Sequence, residues 1–241
     1  MDRVQNWLKE EAGKLGVSLS REQMEQFEVY GRLLAEWNER MNLTGITERE
    51  AVYEKHFYDS LTVCAAADLT GRKTLADIGS GAGFPAIPLK IAFSELNVTI
   101  VDALAKRIRF LEAVTGELGL DHVVCLHGRA EDVARMPEHR DRYDVATARA
   151  VARLAGLSEL CLPFVRAGGR FVAMKGADVQ AEIEESGYCF GKLNARLHSV
   201  MKQELPLERA ERHLIAVDKI GPTPKPYPRK AGTPLKEPLL G

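Results

Sequence analysis

Three glycines at alternate positions, Gly79, Gly81 and Gly83, follow the apolar run Thr74-Leu-Ala-Asp-Ile78 and precede a helical pattern that opens at Phe84. Bare backbone at such a strand-to-helix turn lets the charged or hydroxylated end of a cofactor come close, with helix N–H groups aimed at it. The spacing is G-x-G-x-G, so the pyrophosphate fingerprint of dinucleotide-binding turns, G-x-G-x-x-G, is not met. A turn that serves only a tight connection is the plainer reading. Asp77 and a second acid, Asp102, favour a cofactor site.

Ligands of an open α/β sheet lie beyond the carboxyl ends of its strands. That rule gathers Gly79–Phe84, Asp102, Ala130, Glu131, Arg149 and Lys175 into one candidate site, since each follows a predicted strand. The glycine form is that of S-adenosylmethionine enzymes, in which an ionised, acceptor-only Asp102 would take ribose hydroxyls. Asp102 also suits a helix N-cap before Leu104. In Gly128-Arg-Ala-Glu131 a backbone N–H and a carboxylate can read an adenine edge, although an acid in a first helical turn needs no ligand to explain it. Arg149 ends an otherwise apolar strand, where methyl donor and acceptor would meet. Lys175 either contacts a substrate phosphate or snorkels from the sheet edge. Of the six histidines none shows ligand spacing, and only His56 is set apart, in a polar cluster with Asn42, Thr44, Asp59 and Ser60. That cluster is a capped turn or a lid facing the cofactor.

The elements that must position these residues change character along the chain. Ser20-Arg-Glu-Gln23 is a capping box, followed by Met24, Phe27, Tyr30, Leu34, Trp37 and Met41 at helical spacing. Thr47-Glu-Arg-Glu50 opens another helix with Val52, Phe57, Leu61 and Cys64 inward, so residues 1–70 form a helical cap. From residue 74 strands alternate with helices: Thr74–Ile78 then Phe84–Phe93, Asn97–Val101 then Leu104–Leu118, Val123–His127 then a short helix after Ala130, Tyr143–Ala148 then Leu154–Val165, and Arg170–Lys175 then Asp178–Leu193. Such alternation predicts a parallel sheet covered on both faces over residues 71–220. The strands Arg196–Leu205 and Leu214–Ile220 are too close for an intervening helix and predict an antiparallel hairpin at one edge.

The 241 residues, 45% hydrophobic, suffice for a full core with a smaller appendage. No apolar run approaches the ~20 residues of a bilayer span, so a soluble cytoplasmic protein with no membrane partner is expected. Cys64, Cys125, Cys161 and Cys189 lack C-x-x-C spacing, which predicts core thiols and neither a metal site nor a disulfide framework. The net charge is −1 but is unevenly spread. Residues 1–70 carry eight basic and thirteen acidic side chains, and residues 219–241 carry five and one. The Pro-rich basic tail, 221–241, is either a solvated end or a stiff segment able to lie along a phosphate backbone.

Five segments together resemble one family: Asn42-Leu-Thr-Gly-Ile-Thr47, His56-Phe-Tyr-Asp-Ser-Leu61, Asp77-Ile-Gly-Ser-Gly-Ala-Gly-Phe-Pro-Ala86, Thr147-Ala-Arg-Ala-Val-Ala152 and Tyr227-Pro-Arg-Lys-Ala-Gly-Thr-Pro234. The chain is similar to the RsmG family, ribosomal small-subunit methyltransferase G, also called GidB, over essentially its whole length. The resemblance implies a class I S-adenosylmethionine-dependent methyltransferase fold, Rossmann-like, which methylates N7 of one guanine in the decoding region of 16S ribosomal RNA. It implies cofactor contacts at Gly79, Gly81, Phe84, Asp102, Ala103, Leu104, Ala130, Glu131 and Arg149. RNA contacts would then come from the cap surface and from Lys175, Arg229 and Lys230, on the small ribosomal subunit or an assembly intermediate.

Guanine N7 holds an unshared lone pair, so its methylation needs no general base. The chain accordingly has no Asn-Pro-Pro-Tyr motif and no Pro-Cys nucleophile; Cys161 precedes Leu162-Pro163. Alignment, which can supply ~7–11 kcal/mol, would be the main contribution. An arginine donor on N7 would occupy the attacking lone pair, so Arg149 should hold O6, a phosphate or the cofactor carboxylate. Arg149→Ala is expected to slow transfer more than tenfold with the fold intact. A small-molecule methyltransferase and a non-catalytic S-adenosylmethionine-binding assembly factor are the competing readings.

Overall fold

Strand β1 (Thr74–Ile78) is flanked by β2 (Asn97–Asp102) and β4 (Tyr143–Arg149), and the sheet runs β3-β2-β1-β4-β5-β7-β6 with β3 (Val123–His127), β5 (Val165–Lys175), β6 (Ala195–Glu204) and β7 (Glu211–Lys219). The computed structural model describes residues 1–71, 73–149 and 152–241. Strands β1 to β5 are parallel, while β7 is antiparallel to both β5 and β6. This is the class I methyltransferase fold with its terminal hairpin, as the short gap around Pro206 predicts; β7 starts three residues earlier than expected, at Glu211.

Alternate strand residues feed two cores. Leu75, Val98, Ile100, Val172 and Leu214 face one way, toward α5 (Ala86–Ala92) and α6 (Ala105–Glu117). Ala76, Val101, Ala146, Phe171 and Ile215 face the other, toward α7 (Ala130–Val133), α8 (Leu154–Cys161) and α9 (Gln180–Lys192). The N-terminal helices α1 (Arg3–Lys14) and α2 (Arg21–Met41) add Leu8, Phe27, Tyr30 and Leu34 to the first of these cores, so cap and sheet share one apolar interior. Capping boxes start both helices, Asp2 with Gln5 and Ser20 with Gln23.

Three local expectations are corrected. The next helix begins at Arg49 behind Glu48, which makes no side-chain cap, and Thr47 is not its cap. After α3 (Arg49–Val52) the chain widens into a π-helical turn, Tyr53–Tyr58, before α4 (Asp59–Leu61) and a 3₁₀ turn, Thr62–Ala65. The helix predicted over Leu154–Val165 stops at Cys161, because Pro163 has no N–H to continue it and a 3₁₀ turn, Leu162–Phe164, takes over. Val165 then already belongs to β5, which bulges against Tyr143 and Val145 of β4.

The basic end is a packed strap. Buried Lys219 Nζ sits within hydrogen-bond distance of Asp141 Oδ1, Thr223 Oγ1 and the carbonyls of Leu162 and Val165, four acceptors sharing its three N–H groups. Arg140 holds the carbonyls of Thr223, Pro224 and Tyr227. A last turn, α10 (Thr233–Lys236), lies on α8, where Gly156 gives room for the Pro234 carbonyl; a Cβ there would come within 2.8 Å of it.

Candidate active site

The glycine turn starts where β1 ends, and its three glycines do different work. Gly79 and Gly81 have φ of +70° and +63°, and a Cβ on either would meet no protein atom within 4 Å, so their backbone faces an open crevice. Gly83, at φ +98°, is packed from behind: a Cβ would lie 2.7 Å from both Ile87 Cγ1 and Tyr30 Oη. Tyr30 donates to the Ala82 carbonyl at 2.5 Å, tying α2 of the cap to the turn. Beneath it, fully buried Asp77 accepts hydrogen bonds from Ser80 Oγ and from Thr147 Oγ1 of the neighbouring strand. Burial outweighs those bonds and raises the Asp77 carboxyl to about 6.

Asp102 closes β2 and is almost fully buried. Its Oδ1 accepts the Leu104 N–H at 2.9 Å, and its Oδ2 accepts the Gly81 N–H at 3.1 Å and lies 3.4 Å from Arg107 Nη1. The carboxylate staples the glycine turn to the next strand end, but it is not the expected helix cap: Leu104 is the N-cap residue of α6, with no side-chain cap bond. Ala103 offers its carbonyl to His127 Nε2, and Leu104 stands exposed before α6. Across β3, Ala130 and Glu131 open α7, and Glu131 Oε1 accepts the N–H of Gly232 from the strap at 2.7 Å.

Arg149, at the end of β4, is the hub. Its guanidinium lies over the Phe84 ring at 4.7 Å from the centroid. It donates to the Lys55 carbonyl and to His56 Nδ1, both at 2.9 Å, and reaches Asp59 Oδ2 at 3.3 Å. His56 stacks on the same Phe84 ring, with centroids 4.3 Å apart and planes 16° from parallel. Since Nδ1 accepts from Arg149, the ring proton sits on Nε2 and is donated to Thr44 Oγ1 at 2.8 Å. Burial, then the nearby Arg149 charge, lowers the His56 pKa to about 3. The polar cluster of the cap therefore faces the glycine turn through Phe84, as a lid would.

Beside this hub lies a cavity of about 310 Å³ lined by Lys55, His56, Asp59, Arg149, Lys175 and Arg212, among others. A larger one, about 490 Å³, opens between α2 and the 44–53 segment of the cap and holds none of the predicted site residues. Lys175 does not snorkel: it is buried, donates to the Ala152 carbonyl at 2.6 Å and pairs with Glu182 at 2.7 Å. Arg229 is also taken up internally, gripping the fully buried Glu159 with its Nε, Nη2 and backbone N–H, and this withdraws it from an RNA-facing set. Lys230 is exposed.

Sequence reasoning missed Arg212 and His213. The signal was present in the hairpin itself: a strand antiparallel to β5 begins where the parallel strands end, and the register sets His213 opposite Lys175. Cys161 and Cys189 are buried, whereas Cys64 and Cys125, expected in the core, are only partly buried; no cluster of metal-ligating side chains occurs among the described residues. No helix among them is long and apolar enough to cross a membrane.

The fold matches solved structures at low identity. A S-adenosylmethionine-dependent methyltransferase from Aquifex aeolicus superposes with a TM-score of 0.53 at 16% identity, covering 69% of this chain and 92% of the other. A geranyl diphosphate methyltransferase in complex with S-adenosylmethionine gives 0.55 at 17%, covering 73% and 92%. Sequence relatives are much nearer. Ribosomal RNA small subunit methyltransferase G of Staphylococcus saprophyticus is 50% identical over 234 residues, 97% of this chain and 98% of the relative. The protein of the same name from Halalkalibacterium halodurans is 54% identical over 224 residues, 93% and 94%. The GidB model, described as rRNA small subunit methyltransferase G, matches residues 23–215, and with identity of this order over nearly the whole length the chain belongs to that family.

Proposed function

We propose that this protein transfers a methyl group from S-adenosylmethionine to N7 of a guanine in 16S ribosomal RNA, acting in the cytoplasm on the small subunit or its precursor. The observation that carries the reading is the adjacency of two spaces, the open backbone at Gly79 and Gly81 and the cation-lined cavity, joined by the Phe84–Arg149 pair. Gly79, Gly81, Phe84, the Asp102-Ala103-Leu104 segment, Ala130, Glu131 and Arg149 would hold the cofactor. When bound there, it supplies an electrophilic sulfonium methyl and leaves as S-adenosylhomocysteine.

The chain's own residues suit a nucleophile that arrives with its lone pair. His56 cannot act as a base, because Nδ1 is engaged by Arg149 and burial disfavours the imidazolium. Lys175 is charge-paired with Glu182. Arg149, held by three partners from the cap, is a fixed wall for orienting the base and is not aimed by a flexible stem. Exposed Lys230 remains a candidate for the RNA backbone.

The test is direct. Small subunits from a deletion strain are methylated by the purified protein with labelled S-adenosylmethionine, and the RNA is reduced with borohydride and cleaved with aniline. One new scission at a decoding-region guanine is expected. Label without aniline-sensitive scission overturns the N7 assignment.

A further inference from the structure

Among the described residues four buried side-chain atoms lack a hydrogen-bond partner, and one of them, Asp59 Oδ1, belongs to the wall of the cation-lined cavity. Asp59 is 3% exposed. Its other oxygen is the one near Arg149, at 3.3 Å. The nearest cation to Oδ1 is Arg212 Nε at 3.6 Å, too long for a hydrogen bond, so the oxygen is covered without being satisfied. A buried acceptor left unpaired carries a desolvation cost, which a ligand donor would relieve. The Asp59 carboxyl is raised by burial and opposed by Arg149 and Arg212, with Glu54 adding a smaller upward push.

We infer that Asp59 is the residue that selects guanine, its Oδ1 accepting from N1–H and the 2-amino group on the Watson–Crick edge of the target base. This deepens the N7 reading and rests on it. Guanine alone among the four RNA bases presents two adjacent donors on that edge, whereas adenine turns a lone pair, N1, toward the same place. The Watson–Crick edge lies across the purine from N7, so a grip on it leaves the attacking nitrogen free and pointed away from the carboxylate. Entry of the base requires Arg212, a quarter exposed and bonded only to its own neighbour's carbonyl, to move off Oδ1. Its guanidinium is then available to O6 or a phosphate. Asp59 acts as a recognition group and takes no proton in the reaction.

The experiment compares wild type and Asp59→Asn on small subunits reconstituted with guanine or inosine at the target position, inosine lacking the 2-amino group but keeping N7. Inosine is expected to lower wild-type kcat/KM about tenfold, the size of one lost hydrogen bond to a charged acceptor. Asp59→Asn is expected to lower transfer to guanine further and to treat the two bases alike within about twofold. A variant that retains the wild-type preference for guanine makes Asp59 a counter-ion of Arg149 only and overturns the inference. Should Asp59→Asn fail to fold, wild type still decides, since equal rates on guanine and inosine overturn it too. Wild-type protein that yields no 7-methylguanine on the guanine subunits shows instead that the N7 reading has failed.

Discussion

His56 illustrates how neighbours assign a proton. With Nδ1 accepting from Arg149 and Nε2 donating to Thr44, the ring is neutral, and its folded pKa of about 3 lies below the ordinary value near 6.5. As pH falls, the unfolded chain is protonated first, so the stability tied to His56 is complete above about 6.5 and is lost down toward 3. Asp77, raised to about 6, works in the opposite direction between about 4 and 6, so a comparison of variants is needed. Between pH 7 and 5 the wild type should lose about 2 kcal/mol relative to His56→Gln, read from urea midpoints. Equal losses would mean that the imidazole is not held neutral. Arg149→Ala is expected to slow methyl transfer more than tenfold, but not with the fold untouched: it leaves buried Asp59 with only the longer Arg212 contact to balance its charge, at about 3 kcal/mol. Thermal denaturation of the variant checks this. Arg149 was legible in the sequence because a cation ending an apolar strand is a local anomaly. Its partners were not, because Lys55, His56 and Asp59 lie some ninety positions earlier in the chain.

The elements show the same division. Parallel strands were legible as short apolar runs bounded by turn residues, and the final hairpin as a gap too short for a helix. The π-helical turn was not, since its apolar spacing is close to that of an ordinary helix, yet it carries His56 and, just after it, Asp59. The strap was misread for a physical reason: net charge does not reveal which cations are neutralised inside. Lys219 and Arg229 are structural, leaving Lys225, Lys230 and Lys236 exposed. Changing those three to Gln should flatten the salt dependence of RNA binding by a slope of at most about 2, without loss of stability. Removing residues 231–241 keeps the Arg229–Glu159 pair but takes away the Gly232 N–H from Glu131. The expected result is several-fold weaker S-adenosylmethionine binding by calorimetry, with the RNA salt slope reduced by less than about 1, the share of the single lysine Lys236. Unchanged cofactor affinity would show that the strap does not support the Glu131 side of the crevice.

At the scale of the molecule the cap is not an accessory. Phe57, from the π turn, contacts Phe27 and Tyr30 of α2 and Tyr53, with ring centroids 5.0 to 5.3 Å apart, and approaches Phe84 at 6.2 Å. One aromatic cluster therefore links the N-terminal helices to the glycine turn. Phe57→Ala should destabilise the whole chain by about 3–5 kcal/mol, in one transition seen alike by helix and sheet probes. Two separated transitions would show that the cap unfolds by itself. The turn between β6 and β7 also reaches across to this region: Glu54 accepts the N–H groups of Leu207 and Glu208, and Lys55 pairs with Glu208. Through Lys55 that turn is held against the rim of the cation-lined cavity, on the β7 side, whereas the glycine turn follows β1, three places away in the order of the sheet, and meets the cavity only at Arg149 of β4. On the proposed reading, lengthening or recolouring this one loop would retune which folded RNA is admitted without touching the glycine turn, giving evolution, or an engineer, a dial for target choice.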